Sequence, residues 1–158
     1  MSSFLLWLKS IFVKPKVVTP DTAPIWYRIA EKEIGVKELA SGSNPRIEEY
    51  HKATSLNHDL IHQDTPWCAS FTSWCLEQAG VKSARSAWAR SYLNWGIKLE
   101  QPKFGCIVVF KRGVNSGHVG FYAGETSTTI KVLSGNQGNA VNISEYLKSN
   151  LLGYRWPK

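Results

Sequence analysis

Apolar residues recur at helical spacing in the first half of the chain and at strand spacing in the second. Ile25, Trp26, Ile29, Ala30 and Ile34 fall on one helical period, with Asp21 or Thr22 available as an upstream cap and Gly35 at the end. Residues 44–51 predict a second short helix, with Asn44 as cap and Pro45 at the first helical position. The third is the clearest. Asp64 or Thr65 caps it, Pro66 takes its first position, Gly80 closes it, and Cys68, Phe71, Cys75 and Ala79 form one stripe. Residues 86–95 predict a further helix ending at Gly96. Past Pro102 the period changes. Residues 106–110, 118–123, 129–133, 140–143 and 151–156 predict strands, punctuated by Gly113, Gly117, Gly124, Gly135 and Gly138. Helices first and strands second predict an α+β fold with an antiparallel sheet.

Ahead of these elements lie two segments of different character. The apolar run in residues 1–13 is about ten residues long and is interrupted by Lys9, far short of the roughly 20 that span a bilayer. No basic residue precedes the run and no small-residue cleavage site follows it, so it makes a poor signal peptide. The expectation is an amphipathic helix, lying on a membrane surface through residues 4–13 or docking on the domain. Residues 14–24 carry three prolines and predict an extended linker. The division expected is 1–24 for the appendage and 25–158 for the domain.

Composition narrows the chemistry. With 158 residues, 43% hydrophobic content and seven Trp, one domain can build its core without a disulfide scaffold. A net charge of +7 favours polyanionic surroundings. There is no arginine-rich run or Cys–His finger pattern, so a nucleic-acid partner is not expected. The three cysteines, Cys68, Cys75 and Cys106, cannot all pair within the chain. Cys68 and Cys75 sit roughly 10 Å apart along one predicted helix, too far to bridge. A free thiol then serves either burial or catalysis.

Cys68 falls in the first turn of its helix, where free N–H groups and the dipole stabilise an anion and a lowered thiol pKa is expected. Cys75 and Cys106 read as buried. His118 opens a strand after a glycine-bearing turn, where an imidazole can face a helix N-terminus and act as base. His51, His58 and His62 read as surface residues, with His62 the rival base by proximity in sequence. Asn136 is the candidate to orient the base, against the alternative of a turn asparagine in left-handed conformation. The backbone N–H of Cys68 is the first oxyanion donor considered, and Gln63 a possible side-chain donor. Trp67, Trp88, Tyr92 and Trp95 either stack on sugar rings or fill the core. Asn57, Asp59 and Asp64 match no calcium loop, and no metal or cofactor is expected.

The strings PWCASFTSWCLEQAG (66–80), RSYLNWG (90–96), GHVGFYAG (117–124), LSGNQGNAVNISEY (133–146) and LLGYRWP (151–157) resemble the NlpC-type and CHAP-like papain-fold cell-wall hydrolases, and more narrowly a subfamily found in phage lytic enzymes and bacterial effectors. The likeness runs from about residue 25 to the C-terminus. It implies Cys68 as nucleophile, His118 as base and a polar third residue, here Asn136. Two departures stand out: Trp67 precedes the nucleophile where NlpC-type enzymes usually carry Asp, and Gly105-Cys106 replaces a usual Gly-Asp. The function implied is a peptidoglycan endopeptidase or amidase working through a thioester, in the periplasm or cell wall, with an immunity protein as partner if the chain is an effector. The alternatives are a non-catalytic wall-binding module and an acyltransferase or transglutaminase-like enzyme on the same fold.

Overall fold

The computed structural model describes residues 17–158, and the helix expected within residues 1–13, with its membrane contact, lies outside them. Helices α1 (Ile25–Lys32), α2 (Pro45–Lys52) and α3 (Cys68–Gln78) come first, with a short 3-10 turn at His58–Leu60. A second 3-10 segment, Ala89–Asn94, leads to strands β1 (Ile97–Leu99), β2 (Ile107–Arg112), β3 (Ser116–Glu125), β4 (Thr129–Ser134), β5 (Asn142–Leu147) and β6 (Leu151–Trp156). The strands form one antiparallel sheet in the order β1-β6-β2-β3-β4-β5.

Local chemistry accounts for the helix ends. Asn44 Oδ1 accepts from the Arg46 N–H at 2.9 Å, and Pro45 follows at the first position of α2. The third helix starts two residues later than its proline suggests. Thr65 Oγ1 is committed to the Leu60 carbonyl at 2.7 Å, so it does not cap, and Trp67 stands at the boundary with φ −123° and no capping side chain. Cys68 is therefore the first helical residue. Nearly all of α3 is buried, including three hydroxyls, and each has a partner. Ser70 Oγ meets His51 Nδ1 at 2.8 Å, Thr72 donates to the Cys68 carbonyl at 3.0 Å, and Ser73 meets Tyr92 Oη at 2.7 Å.

Two elements differ from the sequence pattern. Residues 86–95 wind only as far as a 3-10 segment, and the chain then adds the short edge strand β1. The strand expected at 140–143 instead begins at Asn142, because Gly138 and Asn139 both hold left-handed φ and carry the turn further. Ala140 makes only an isolated bridge to Lys37. Residues 17–24 do not run free as a linker would: Ala23 joins the core and Arg28 donates to the Pro20 carbonyl at 3.0 Å.

One core fills the space between the helices and the sheet, through Tyr27, Tyr50, Phe71, Leu76, Val109, Val119 and Phe121. A second lies on the sheet's other face, through Val108, Phe110, Ile130 and Val132. The sheet curls around this second core. Tyr146 of β5 stacks on Phe110 of β2 at 5.0 Å between centroids, although β3 and β4 separate their strands. A flat sheet would hold them about 14 Å apart, at roughly 4.8 Å per strand. The curl brings distant strands to one rim, and His118 sits there.

Candidate active site

Cys68 is buried to 6% exposure, yet it reaches the floor of a cleft of about 490 Å³. Residues 55–57, 65–66 and 86–89, with Ser116 and Gly117, line the rest of it. As the first residue of α3 its sulfur lies against helix N–H groups. Burial nevertheless pushes the thiol pKa up, overriding the Val119 N–H, the Arg112 charge and the N–H groups of Ala69 and Cys68 that pull it down. Position alone suggested a lowered pKa. The physical reason for the reverse is desolvation, so the resting group is a thiol.

The Val119 N–H that touches the sulfur belongs to the residue after His118, and Arg112 and Tyr146 are neighbours of both side chains. Cys68 and His118 thus share neighbours where α3 packs on β3, with no hydrogen bond joining the sulfur to His118 Nδ1. His118 pairs with Phe110 across the β2–β3 ladder and is fully buried. The preceding Gly117 has no room for a side chain, since a Cβ would lie 2.8 Å from the Phe110 carbonyl oxygen.

The tautomer of His118 follows from its partner. His118 Nε2 lies 3.0 Å from Gln137 Oε1. The Gln137 amide nitrogen faces three acceptors, Val132 O at 3.2 Å, Asn142 O at 2.7 Å and Asn142 Oδ1 at 3.0 Å, so its oxygen must be the end turned to the histidine. Nε2 then carries the proton and donates. Nδ1 is left as a bare lone pair, buried and without a hydrogen-bond partner. Burial first, and Arg112 second, lower the His118 pKa to about 3 against the opposing bond to Gln137. The imidazole is neutral at rest.

The sequence reading placed the orienting amide at Asn136, and the structure puts the Gln137 amide there instead. Extending the Phe121–Leu133 register would set residue 136 opposite His118, but β4 ends at Ser134. Asn136 takes a left-handed φ of 56°, the turn geometry weighed as its alternative, and the reversal swings the next side chain onto the imidazole.

Three other candidates are corrected. Gln63 is 5% exposed, and its oxygen accepts from the N–H groups of Leu39 (2.9 Å) and Asn44 (3.0 Å) while its nitrogen donates to Leu39 O (2.9 Å). It clamps the 39–44 loop and does not line the cleft. Trp67 is fully buried, donates to Glu38 Oε1 at 2.9 Å and stacks on Tyr50, so it is core rather than substrate surface. His51 is not a surface residue: it is buried between Ser70 and the His62 carbonyl. His58 is exposed, and the half-exposed His62 pairs with Asp64 at 3.3 Å away from the cleft lining. Trp88 keeps its place, 56% exposed on the cleft wall with its indole N–H on Asn115 O at 3.3 Å. Tyr92 is core, and Trp95 packs edge-on against it at 5.5 Å.

Sequence reasoning missed Gln137, Arg112 and Tyr146. A second amide directly after Asn136 was the available signal for the first. Nothing local marks the others, which reach the site through the hairpin and the curl. Arg112 has no carboxylate partner among the described residues; it hydrogen-bonds Tyr146, and its charge acts on Cys68 and His118. Among those residues no three His, Cys, Asp or Glu side chains converge as a metal site would require.

Comparison with known proteins bears on this geometry. Residues 61–136 match the CHAP domain, a segment that holds α3, the cleft walls from residue 65 and the His118 strand. Among solved structures, the chain is similar to a Staphylococcus aureus subsp. aureus Mu50 protein titled as similar to lipoprotein, NLP/P60 family, with a TM-score of 0.53 and 18% identity. The alignment covers 92% of this chain and 45% of that one, so this chain spans less than half of its neighbour, and the likeness is one of fold. No curated protein matches the sequence. The matched domain and the shared architecture, helices followed by a six-stranded antiparallel sheet, agree: residues 61–136 are similar to the CHAP domain, and the chain takes the fold of its NLP/P60-family neighbour, which together support a CHAP/NlpC-type papain-like domain.

Proposed function

We propose that residues 25–158 form a cysteine endopeptidase or amidase that cuts an amide bond of peptidoglycan through a thioester on Cys68. The observation that carries this reading is the state of His118. Its Nε2 proton is held by Gln137 and its Nδ1 lone pair has no partner, beside a thiol at the start of α3.

The steps follow from that state. Substrate enters the cleft and its carbonyl carbon meets the sulfur. His118 Nδ1 takes the thiol proton as sulfur attacks, because both groups rest neutral. The oxyanion forms at the helix N-terminus, where the Cys68 N–H donates. The imidazolium passes its proton to the leaving nitrogen, the C–N bond breaks, and the acyl group remains on sulfur. Water, deprotonated by the same Nδ1, attacks the thioester and restores the thiol. Gln137 keeps the imidazole in the tautomer this sequence needs, in the role the sequence reading gave to Asn136. Trp88 offers an exposed face to a sugar or peptide on the cleft wall. Arg112 and the net charge of +7 suit the carboxylates of stem peptides.

The site of action is then the cell wall or periplasm, and an immunity protein is the expected partner if the chain serves as an effector. The test is a digest of purified peptidoglycan with wild type and Cys68→Ala, read by mass spectrometry. Fragments from the wild type alone are expected, and their masses identify the bond. Intact wall in both digests, across several wall chemotypes and with folded protein, would overturn the reading.

A further inference from the structure

We propose that Tyr146 is the positioning residue that fixes the plane of the His118 imidazole and keeps water from it. The inference rests on the reading of His118 as base and adds the group that holds it in place. A single hydrogen bond to Gln137 fixes one edge of the imidazole but leaves the ring free to swing about that contact. Tyr146 removes this freedom: its ring lies parallel to the imidazole within 20°, with centroids 4.7 Å apart. Phe110 stacks on Tyr146 in turn, at 5.0 Å and 24°, and Phe110 is itself fixed in the second core. A bond in the ring plane and a stack across it together set the direction of the Nδ1 lone pair. The phenol ring also covers one face of the imidazole and keeps water off that face, while the in-plane Nδ1 stays buried with no hydrogen-bond partner.

The groups around His118 come from four elements: Arg112 from β2, Cys68 from α3, Gln137 from the turn after β4 and Tyr146 from β5. Arg112 is the charged one among them, and it disfavours the imidazolium. Removing the Tyr146 side chain releases Arg112 from its hydrogen bond to the phenol and admits water, and both changes favour the charged imidazole. The expected change is a His118 that protonates at higher pH and points less well.

The experiment follows the His118 ring by NMR from pH 4 to 8 in the full chain, alongside kcat and KM. In the wild type His118 stays neutral across that range, and in Tyr146→Ala it titrates towards the ordinary value of 6.5. Tyr146→Ala is expected to lower kcat about 10-fold or more, within the 10²–10⁴ that general-base catalysis supplies, with KM little changed. Tyr146→Phe gives up the bond to Arg112 but keeps the ring over the imidazole, and is expected to stay close to the wild type on both counts. Tyr146→Leu, which fills only part of the space and has no flat face, is expected to move kcat and the titration in the same direction as Ala by a smaller amount, and serves if the Ala variant fails to fold. An unchanged His118 titration in Ala or Leu would overturn the proposal, as would a Phe variant that behaves like Ala. The titration is read without substrate. It therefore judges Tyr146 even where a failure of the wild type to cut wall material overturns the hydrolase reading.

Discussion

Gly135 lies so close to the indole of Trp67 that a Cβ added there would sit 2.5 Å from Cζ3 and 2.6 Å from Cε3. Trp67 immediately precedes Cys68, and Gly135 stands two residues before Gln137. This one contact sets the distance between the start of the thiol helix and the turn that holds His118. Gly135→Ala is expected to cost about 1–3 kcal/mol, the usual range for overpacking a filled core, measured by urea unfolding. It should also lower activity more than its stability loss explains, and a fully active variant would show that the spacing tolerates change.

Asn136 and Gln137 are adjacent amides with different surroundings, and substitution separates them. Gln137→Ala removes the acceptor from His118 Nε2–H and is expected to reduce kcat about 10- to 100-fold, part of the 10²–10⁴ of general-base catalysis. Asn136→Ala loses only a residue that tolerates left-handed φ. It is expected to cost about 1 kcal/mol of stability with kcat nearly unchanged. Steady-state kinetics on the two variants decides which amide orients the base, and the opposite ranking would restore Asn136 to that role.

Acid should destabilise the fold through its buried histidines. His118 and His51 have folded-state pKa values lowered mainly by burial, to about 3 for His118, whereas the unfolded chain protonates them near 6.5. Below about pH 6.5 the unfolded state binds more protons, so stability falls as pH falls, and for His118 the loss continues down to its folded pKa near 3. Each histidine contributes a slope of about 1.4 kcal/mol per pH unit within its window. Urea midpoints at pH 7 and pH 5 measure it. His118→Asn should flatten the dependence, and the same slope in that variant would assign the effect elsewhere.

Alkylation should distinguish the three thiols. Cys75 and Cys106 are buried away from the cleft, and burial raises both pKa values, that of Cys106 to about 12. Cys68 alone lines the cleft, so brief iodoacetamide treatment of folded protein should label it first, as peptide mapping would reveal. Arg112→Gln removes a charge that lowers the Cys68 pKa and should slow that labelling near neutral pH. Arg112 is exposed, so the difference should shrink as salt is raised. A rate independent of both Arg112 and salt would place its field elsewhere.

How far the sequence discloses the site depends on how local each signal is. The apolar stripe of α3, the proline before Cys68 and the glycine before His118 lie within a few residues of the groups they position, and all were readable. The amide that meets His118 lies one residue past the one expected, because the left-handed φ of Asn136 decides which side chain swings inward. Trp67 and Gln63 were misplaced because polar or aromatic character close to Cys68 in sequence does not reveal whether a side chain faces cleft or core. Tyr146 was out of reach for another reason: only the curl of the sheet brings β5 to the imidazole.

β6 follows β1 to β5 in sequence, yet it is an inner strand, and β1 and β2 meet only through it. Ribosomes deliver the N-terminal end first, so α3 and its thiol leave the exit tunnel well before residues 151–156. Until those residues emerge, β2 has one bare edge and the hairpin bearing His118 belongs to an unfinished sheet. A nascent chain therefore carries its sulfur long before the sheet around His118 is complete, and synthesis arrested short of residue 151 would leave a sticky strand edge in place of the assembled site.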